Sequence, residues 1–514
     1  MEETDNEYSN IWLALVVVVI GTFMSVLDSS IVNIALPKMM SVFGMSIDKA
    51  KWIITAYTLT LGVTIPLTGY LQDIFGAKKV YIFALGIFSL GSLLCGLAWS
   101  GTAMIVFRIF QAIGGGMIMP VGMSIIYQIF PKGRIGLALG VWGIAAMAAP
   151  TVGPTLGGLI IENMDWRLIF NINVPIGVIG VILAVILLKD TGKKPFKSFD
   201  IIGFLSSTIG MVSILYVLGE GSSIDWGKVE NPILMTLGIL SFVLFVVNEL
   251  THPNPLLELR IFKSFDFSMS LVINSILTLA IMGGAYILPL FLQNVRGYTA
   301  METGLIMLPS ALVMGILMPI SGSLFDKFGA KPLVISGLII LGISSYELAN
   351  AVNMYSSKAD IILITCIRSI GLGLSAMPIT TAGMNAVKRE LVAGASALNN
   401  TIRQVAGSLS VTIMSTLMQV KTDDSYARLT EQINVYNKAS NDLLSTLTNL
   451  FMHSGMSQDM AKVSALSRLT QMIQGQATID GMAYAVSGTV IAIAVALIST
   501  FFMRSKNNCE VGKN

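Results

Sequence analysis

Long apolar segments separated by short polar segments run along most of the 514-residue chain. A helix that crosses a membrane needs about 20 mostly apolar residues, and fourteen segments meet this requirement. We predict spans at residues 11–36, 51–71, 80–100, 102–127, 136–161, 168–188, 200–219, 230–250, 267–292, 302–324, 332–352, 359–386, 395–419 and 480–503. The pattern therefore predicts an all-α polytopic membrane protein.

Composition and charge support the same class. The chain is 54% hydrophobic and 12% charged, whereas a soluble domain has about 25% charged residues. The formal net charge of +3 is small for this length, which argues against nucleic acid as a partner. Acidic residues, Glu2 and Glu3, precede the first apolar segment, so we interpret that segment as a retained first helix. The three cysteines are far apart and predict neither a disulfide framework nor a zinc site.

Basic residues in the short loops predict the orientation. They are concentrated in alternate loops, and loops rich in Lys and Arg stay in the cytoplasm. The loops that we assign to the cytoplasm carry Lys78, Lys79, Lys132, Arg134, Lys327, Lys331, Lys388 and Arg389. We therefore expect a bacterial inner-membrane protein whose two terminal tails, residues 1–10 and 504–514, are both cytoplasmic.

An internal repeat predicts the domain organisation. The pattern Gly-x-Leu-x-Asp-x-x-Gly-x-Lys occurs at residues 69–78 and again at residues 322–331. Arg108 and Arg368, each followed by a glycine-rich segment, form a second repeated pair. Duplicated bundles are common in transporters. We predict two six-helix bundles, residues 11–188 and 267–503, joined by two linker helices within residues 189–266.

The long connection at residues 420–479 has helical periodicity of its own. Apolar residues recur at helical spacing on both sides of His453-Ser454-Gly455, which predicts an extracellular amphipathic hairpin. It either packs on itself and on the helix ends as a cap, or it takes part in gating or substrate entry.

The repeated loop has a possible chemical role as a breakable latch. Gly69 and Gly76 leave no side chain where helix ends approach, and Asp73 can accept hydrogen bonds from exposed N–H groups of a neighbouring helix. An alternative is a tight turn in which Lys78 acts only as a cytoplasmic anchor. The corresponding residues of the second copy are Gly322, Asp326, Lys327 and Gly329.

A Gly- and Pro-rich segment lies in the fifth predicted span. The spacing of Gly153 and Gly157 allows close helix packing, while Pro150 and Pro154 free backbone carbonyls and kink a helix. Gly158 extends the small surface. The segment is either a hinge or a site of helix packing alone.

Few ionisable residues lie inside the apolar spans, where each costs about 2.5–3.5 kcal/mol. They are Asp28, Arg108, Glu347, Arg368 and Arg403. An apolar environment favours the neutral form of a carboxyl group, so Asp28 is a candidate for proton uptake and for attraction of a cation. The alternative is that Asp28 is a structural partner of Arg108 or of helix-end backbone.

The energy source is narrowed by what the sequence lacks. It contains no phosphate-binding Gly-x-x-x-x-Gly-Lys-Ser/Thr loop, which argues against ATP-driven transport. With only His252 and His453, no His-rich metal site or His-based hydrolytic triad can be assembled. Ion-coupled transport remains, and we expect no cofactor.

Taken together, the motifs resemble those of the major facilitator superfamily. The loop at 69–78 is similar to its motif A, Arg108–Gly116 to motif B, and Gly153–Gly158 to motif C, the antiporter motif. Residues 27–37, which include Asp28 and Asn33, and residues 166–177 are similar to two motifs of its fourteen-helix drug:proton antiporter branch, the EmrB/QacA-like group.

The resemblance implies a proton-coupled multidrug antiporter that exports hydrophobic and cationic compounds by alternating access. It also implies a hinge at motif C. From the charges inside the spans we expect coupling roles for Asp28, Arg108 and Glu347, with a position at the outer interface as the alternative for Glu347, and we expect Asn33 in the cavity. The first latch departs from the family pattern at Ile74 and Ala77, which implies that it is weaker than the second. We expect a monomer whose partners are small drugs and membrane lipids. The alternatives are an exporter of one amphiphilic metabolite, lipid or peptide, and a non-transporting membrane sensor or scaffold.

Overall fold

The computed structural model describes residues 2–190, 198–219, 224–433 and 436–503. Within these ranges the regular structure is helical, and short 3-10 or π turns join some of the helices. The α-helices are α1 (Glu2–Phe43), α2 (Ile47–Phe75), α3 (Ala77–Gly96), α4 (Gly101–Ile129), α5 (Ile135–Asn163), α6 (Leu168–Asn171), α7 (Asn173–Leu187), α8 (Ile201–Gly219), α9 (Glu230–Thr251), α10 (Phe265–Leu290), α11 (Ala300–Phe328), α12 (Ala330–Ala351), α13 (Lys358–Asn385), α14 (Val392–Glu431), α15 (Lys438–His453) and α16 (Gln458–Phe502).

The predicted all-α multi-pass architecture is confirmed. Twelve helical stretches of the described chain are long and apolar enough to cross a membrane, and α6 and α7 together make one of them. The two remaining predicted spans, 136–161 and 395–419, correspond to α5 and α14. α14 carries a polar run that includes Asn399, Asn400 and Arg403, which lowers its hydropathy. The count of fourteen spans therefore stays a prediction.

The helix boundaries differ from the predicted ones near the long connection. α14 continues to Glu431, and α16 runs without a break through both the second half of the predicted hairpin and the last span. At 1.5 Å per residue, the 45 residues of α16 extend about 67 Å, about twice the thickness of a membrane core. Only α15 is a separate helix, and it ends at His453, where the break was predicted.

The terminal segments also differ in part. α1 begins at Glu2, so the segment predicted as an N-terminal tail, residues 1–10, is helical from its second residue. The predicted tail at 504–514 lies outside the described residues. So do residues 191–197, which belong to the segment between the first bundle and the linker helices. We use two names below. The basic end carries the loops around residues 76–79, 329–331 and 388–391, and the hairpin end carries α15.

Glycines bring the two halves together along α5 and α11. A Cβ added at Gly136 would meet the Gly322 carbonyl, and one added at Gly140 would meet the Met318 carbonyl. Small residues allow such close backbone approach, and in a membrane this packing takes the place of the hydrophobic effect. α5 also packs along α1, so it connects its own half to the other one.

The linker helices α8 and α9 form a hairpin that contacts both halves. On α2, Gly62 makes room for Leu215, whose Cδ1 lies 2.9 Å from the position of an added Cβ. On α14, the Thr412 hydroxyl donates to the Leu218 carbonyl at 2.7 Å. The linker pair therefore packs, through α8, against α2 of the first half and α14 of the second.

Candidate functional site

A buried ion pair lies near the middle of the first half. α1 positions Asp28, which is 0% exposed, and α4 positions Arg108, which is 1% exposed. Arg108 Nη1 lies 2.5 Å from Asp28 Oδ2 and 2.6 Å from Gln111 Oε1. Gln111 is three residues after Arg108, so both side chains lie on the same face of α4.

The second carboxylate oxygen is held by amides. Asp28 Oδ1 accepts from Gln111 Nε2 at 3.0 Å and from Asn173 Nδ2, on α7, at 2.9 Å. Ser92 of α3 accepts from the same two amides, at 2.6 and 3.4 Å. The cluster therefore joins α1, α3, α4 and α7. It pairs the two buried charges and provides hydrogen bonds to both carboxylate oxygens, while Arg108 Nε is buried with no hydrogen-bond partner.

Aromatic rings cover the guanidinium of Arg108. Its Cζ lies 3.8 Å from the ring centroid of Tyr57, on α2, and 5.8 Å from that of Phe170. A cation over an aromatic face is attracted by the ring quadrupole. Arg108 therefore has favourable contacts other than Asp28, namely the Tyr57 ring and Gln111 Oε1.

Only two of the four residues expected to act in coupling or in the cavity come together. Asp28 and Arg108 meet, whereas Glu347 is exposed one turn before the end of α12, at the hairpin end. This placement corresponds to the outer-interface alternative for Glu347, and an exposed carboxylate there does not contact the buried cluster. Asn33 is also exposed, and its Nδ2 donates to the Ser29 carbonyl at 3.5 Å.

The second half holds its intramembrane arginines, buried Arg368 and partly exposed Arg403, differently. Arg368 is 6% exposed, and it donates to the Ala280 carbonyl and, at 3.3 Å, to the Ser345 hydroxyl. Arg403 of α14 donates to Asn400 Oδ1 at 3.1 Å and contacts Met119 of α4 at 3.3 Å. Among the described residues, neither arginine has a carboxylate within ion-pair distance.

The second latch loop binds the first half at the basic end. Asp326 Oδ1 accepts from the Gly136 N–H and Oδ2 accepts from the Leu137 N–H, both at 3.2 Å. These N–H groups belong to the first turn of α5, where they have no partner within the helix and where the helix dipole favours a carboxylate. Asp326 thus makes the kind of contact that the sequence suggested for the latch.

The glycines of the latch loops have two distinct roles. A Cβ at Gly69 would lie 3.3 Å from Gly394 Cα, so Gly69 brings α2 against the start of α14. Gly76 and Gly329 have φ values of +84° and +76°, which favour glycine in the turn between helices. For Gly76 the positive φ is a requirement that the sequence analysis did not name. Lys78 is half-buried and Lys327 is exposed.

Further contacts close the basic end. The Ser396 hydroxyl donates to the Pro120 carbonyl at 2.8 Å, and the Tyr127 hydroxyl donates to the Thr381 carbonyl at 3.5 Å. Each bond joins α4 of the first half to a helix of the second. Together with Asp326, they show the two halves in contact at this end.

The Gly- and Pro-rich segment lets α5 pack against a helix on each of two sides. A Cβ at Gly153 would meet the Ser30 hydroxyl, and one at Gly157 would lie 2.9 Å from Ile31 Cγ1. Gly158 faces α11, where an added Cβ would lie 3.9 Å from the Met301 nitrogen. Pro150 and Pro154 lie inside α5. The segment therefore lies between α1 and the second half, a position that suits either of its two predicted roles.

Sequence reasoning did not single out the uncharged members of the cluster. Gln111 and Asn173 both lie in segments that carry recognised motifs, but an amide gives a weaker signal than a charge. A search for amides spaced three or four residues from a buried charge would have found Gln111. No group of three or more His, Cys, Asp or Glu side chains in the described residues is arranged to hold a metal ion.

Comparisons with known proteins agree on one family. The sequence model of the Major Facilitator Superfamily matches residues 18–411. The chain is 36% identical over 503 residues to the MFS-type transporter YhcA of Bacillus subtilis (strain 168), covering 97% of this chain and 94% of that protein. It is 31% identical over 444 residues to the multidrug export protein EmrB of Escherichia coli (strain K12), covering 86% of each.

A solved structure shares the fold. The proton:xylose symporter XylE bound to 6-bromo-6-deoxy-D-glucose superposes with a TM-score of 0.60 and covers 97% of both chains. The sequence identity is 12%, so this similarity shows the fold alone.

Proposed function

The chain belongs to the major facilitator superfamily, and from this premise we propose that it exports hydrophobic and cationic compounds in exchange for protons. In this proposal it lies in the bacterial cell membrane, with the basic end and both termini in the cytoplasm. The basic loops support that orientation. The similarity to EmrB, a multidrug export protein, supports the direction and class of transport.

The observation that carries the proposal is the buried ion pair of Asp28 and Arg108. In a low-dielectric interior the Asp28 carboxylate can be neutralised by Arg108 or by a proton, and the two compete for it. When a proton binds, the Asp28–Arg108 attraction is lost, and Arg108 keeps Gln111 Oε1 and the Tyr57 ring as partners. These remaining contacts lower the cost of releasing Asp28.

Proton binding at this cluster is coupled to helix movement. Asp28 ties α1 to α4 and α7, and α1 packs on α5, which forms the contact with α11. In the conformation described here, Asp28 is paired and the basic end is closed. A proton that reaches Asp28 from outside weakens the ties of α1 and favours opening of the basic end. The proton then leaves to the cytoplasm, and cargo is carried out in return.

One observation favours a second candidate function, export of a single amphiphilic metabolite. Arg403 is partly exposed at the contact between α14 and α4 and has no carboxylate partner among the described residues. A fixed cation at this place favours a cargo with an electron-rich or acidic headgroup. The two candidates therefore differ in the charge of the preferred cargo.

Transport by the purified protein in liposomes tests the proposal. Acid-inside proteoliposomes should accumulate ethidium or tetraphenylphosphonium, because protons that leave drive the cation inward. Asp28→Asn should abolish the part of the accumulation that depends on the pH gradient. Asp165→Asn is the matched control, since the side chain of Asp165 is 59% exposed. Protein-free liposomes correct for passive accumulation.

Each outcome has a clear meaning. Gradient-driven accumulation that is unchanged in Asp28→Asn would exclude Asp28 as the coupling site. If neither cation moves while an anionic amphiphile does, the second candidate replaces the first.

A further inference from the structure

Two buried carboxyl groups face each other in the linker helix pair, away from the cluster around Asp28. Asp200 immediately precedes α8 and is 3% exposed, while Glu249 lies in the last turn of α9 and is 0% exposed. A Cβ added at Gly203 would meet both Asp200 Oδ2 and Glu249 Oε1. Gly203 therefore leaves the space across which these two oxygens approach each other.

The hydrogen bonds of the two groups leave one oxygen without a partner. Asp200 Oδ1 accepts from the Gly203 N–H at 2.8 Å, and Oδ2 accepts from Asn248 Nδ2 at 2.5 Å. Glu249 Oε2 accepts from the Leu257 N–H at 3.0 Å, but Oε1 is buried with no hydrogen-bond partner. A buried acceptor without a donor is costly.

No positive charge among the described residues neutralises this pair. His252 Nδ1 lies 3.9 Å from Asp200 Oδ2, and it accepts from the Asn254 N–H at 3.2 Å, so this nitrogen is already used as an acceptor. Of the other charged groups in the segment after α9, Glu258 and Arg260 lie 3.7 Å apart and pair with each other, and Lys263 is exposed.

A single proton resolves both problems. Two carboxylates at close range in a buried site repel each other, and one shared proton removes the repulsion. A proton on Glu249 Oε1 also gives this oxygen an O–H group, which can donate a hydrogen bond toward Asp200 Oδ2 on the other side of Gly203. We propose that Asp200 and Glu249 together bind one proton, so that the linker helices carry a second proton site, open to exchange with the cytoplasm at the basic end.

This site lies next to the contact that closes the basic end. Leu257, whose N–H binds Glu249, is 1% exposed, and Ile261 of the same segment is 5% exposed. The Cδ1 atom of Ile261 is 4.0 Å from the position of an added Cβ at Gly394, the glycine on which Gly69 of α2 packs. The segment from Leu257 to Ile261 thus packs on α14 at Gly394, the position where α14 contacts α2.

Loss of the proton should weaken this support. Repulsion from Asp200 displaces the Glu249 carboxylate, which then loosens its hold on Leu257. The α2–α14 contact loses part of its backing, and the basic end opens more readily when the cytoplasmic pH rises. The inference concerns proton occupancy and the state of the basic end, so it does not depend on the cargo or on Asp28.

Infrared spectroscopy of the full-length protein in lipid tests the site directly. A protonated carboxyl group has a C=O stretching band that a carboxylate lacks. At neutral pH the wild type should show a band that Glu249→Gln lacks, and the band should vanish as pH rises. Glu230→Gln, at the opposite end of α9, is the matched control and should leave the spectrum unchanged. If Glu249→Gln removes no protonated-carboxyl signal at any pH, the proposal is wrong.

A distance measurement tests the consequence. Spin labels at positions 79 and 388, both exposed at the basic end, report whether the two halves are in contact there. The wild type should shift toward the longer distance as pH rises, while Glu249→Gln, which keeps a neutral side chain, should stay at the shorter distance. Asp200→Asn should also suppress the shift, because it removes one of the two repelling charges. An equal shift in all three proteins would overturn the coupling to the basic end.

Discussion

The two halves hold their corresponding arginines, Arg108 and Arg368, in different ways. In the first half, Arg108 binds Asp28 in a buried ion pair surrounded by amides. In the second half, Arg368 binds the Ala280 carbonyl and the Ser345 hydroxyl. Both arginines come from the repeated segment, so the difference lies in the neighbouring helices. α1 supplies a carboxylate, whereas α10 supplies only backbone.

This difference separates a variable charge from a fixed one. A carboxylate can exchange its cationic partner for a proton, whereas a carbonyl or hydroxyl oxygen cannot do so near neutral pH. The first half can therefore change its internal charge during a transport cycle, while Arg368 stays charged. In our proposal, this asymmetry places proton coupling in the first half and leaves the second half with the fixed charge of Arg368.

The largest expected effect comes from breaking the pair in the first half. Asp28→Ala leaves Arg108 buried without its carboxylate, which should lower the free energy of unfolding by about 3–5 kcal/mol. Asp28→Asn keeps an oxygen acceptor and should cost less, although both variants should lose gradient-driven transport. Thermal unfolding of the purified proteins in detergent gives the order. Equal melting temperatures for the wild type and Asp28→Ala would show that the pair does not stabilise the fold.

The corresponding change in the second half should have a smaller effect. Arg368→Gln removes a charge without leaving a buried carboxylate behind, so the loss is that of unsatisfied hydrogen-bonding groups, about 1–3 kcal/mol. We expect gradient-driven transport to persist with the same dependence on external pH. A loss of gradient-driven transport in Arg368→Gln like that expected for Asp28→Asn would remove the proposed asymmetry between the halves.

The latch of the second half should contribute less again. Asp326→Asn keeps the shape of the side chain but removes the charge that favours the α5 N-terminus, a contribution of about 0.3–1 kcal/mol. The spin-label pair at positions 79 and 388 should show a modest shift toward the open basic end. Asp360→Asn, which changes a helix-capping residue at the hairpin end, serves as a control for general loss of stability. An unchanged distance distribution in Asp326→Asn would argue against the latch.

The smallest effect is expected at Glu347. Because this carboxylate is exposed at the end of α12, Glu347→Gln should change the free energy of unfolding by no more than about 0.5 kcal/mol and leave transport unchanged. Transport assays beside Asp28→Asn provide the comparison. A loss of gradient-driven transport in Glu347→Gln would show that Glu347 takes part in coupling.

The sequence predicted the main architecture because hydrophobic length and repeated loops are local signals. The apolar spans located the helices, and residues 69–78 and 322–331 identified the two halves. Asp28 stood out because a charge in an apolar span is rare. Helix continuity was harder to predict. α16 joins an amphipathic segment and a membrane span in one helix, with no helix-breaking residue between them.

Contacts between distant segments were beyond the sequence. Asp200 and Glu249 lie at the ends of predicted spans, where acidic residues are unremarkable, and only the packing of α8 on α9 brings them together over Gly203. For the same reason, sequence could nominate Glu347 but could not show that it faces outward. The partners of Arg108 and Arg368 depend on helices far away along the chain, so no local pattern distinguishes them.

Proton release on cargo binding tests the central claim most directly. Purified protein in lipid nanodiscs and weak buffer is mixed with tetraphenylphosphonium, and a pH-indicator dye records the protons released. If cargo and proton compete for Asp28, the wild type should release protons when cargo binds, and Asp28→Asn should release none while the control Asp165→Asn behaves as the wild type. Equal release from Asp28→Asn and the wild type, or cargo binding by the wild type without any release, would contradict the account.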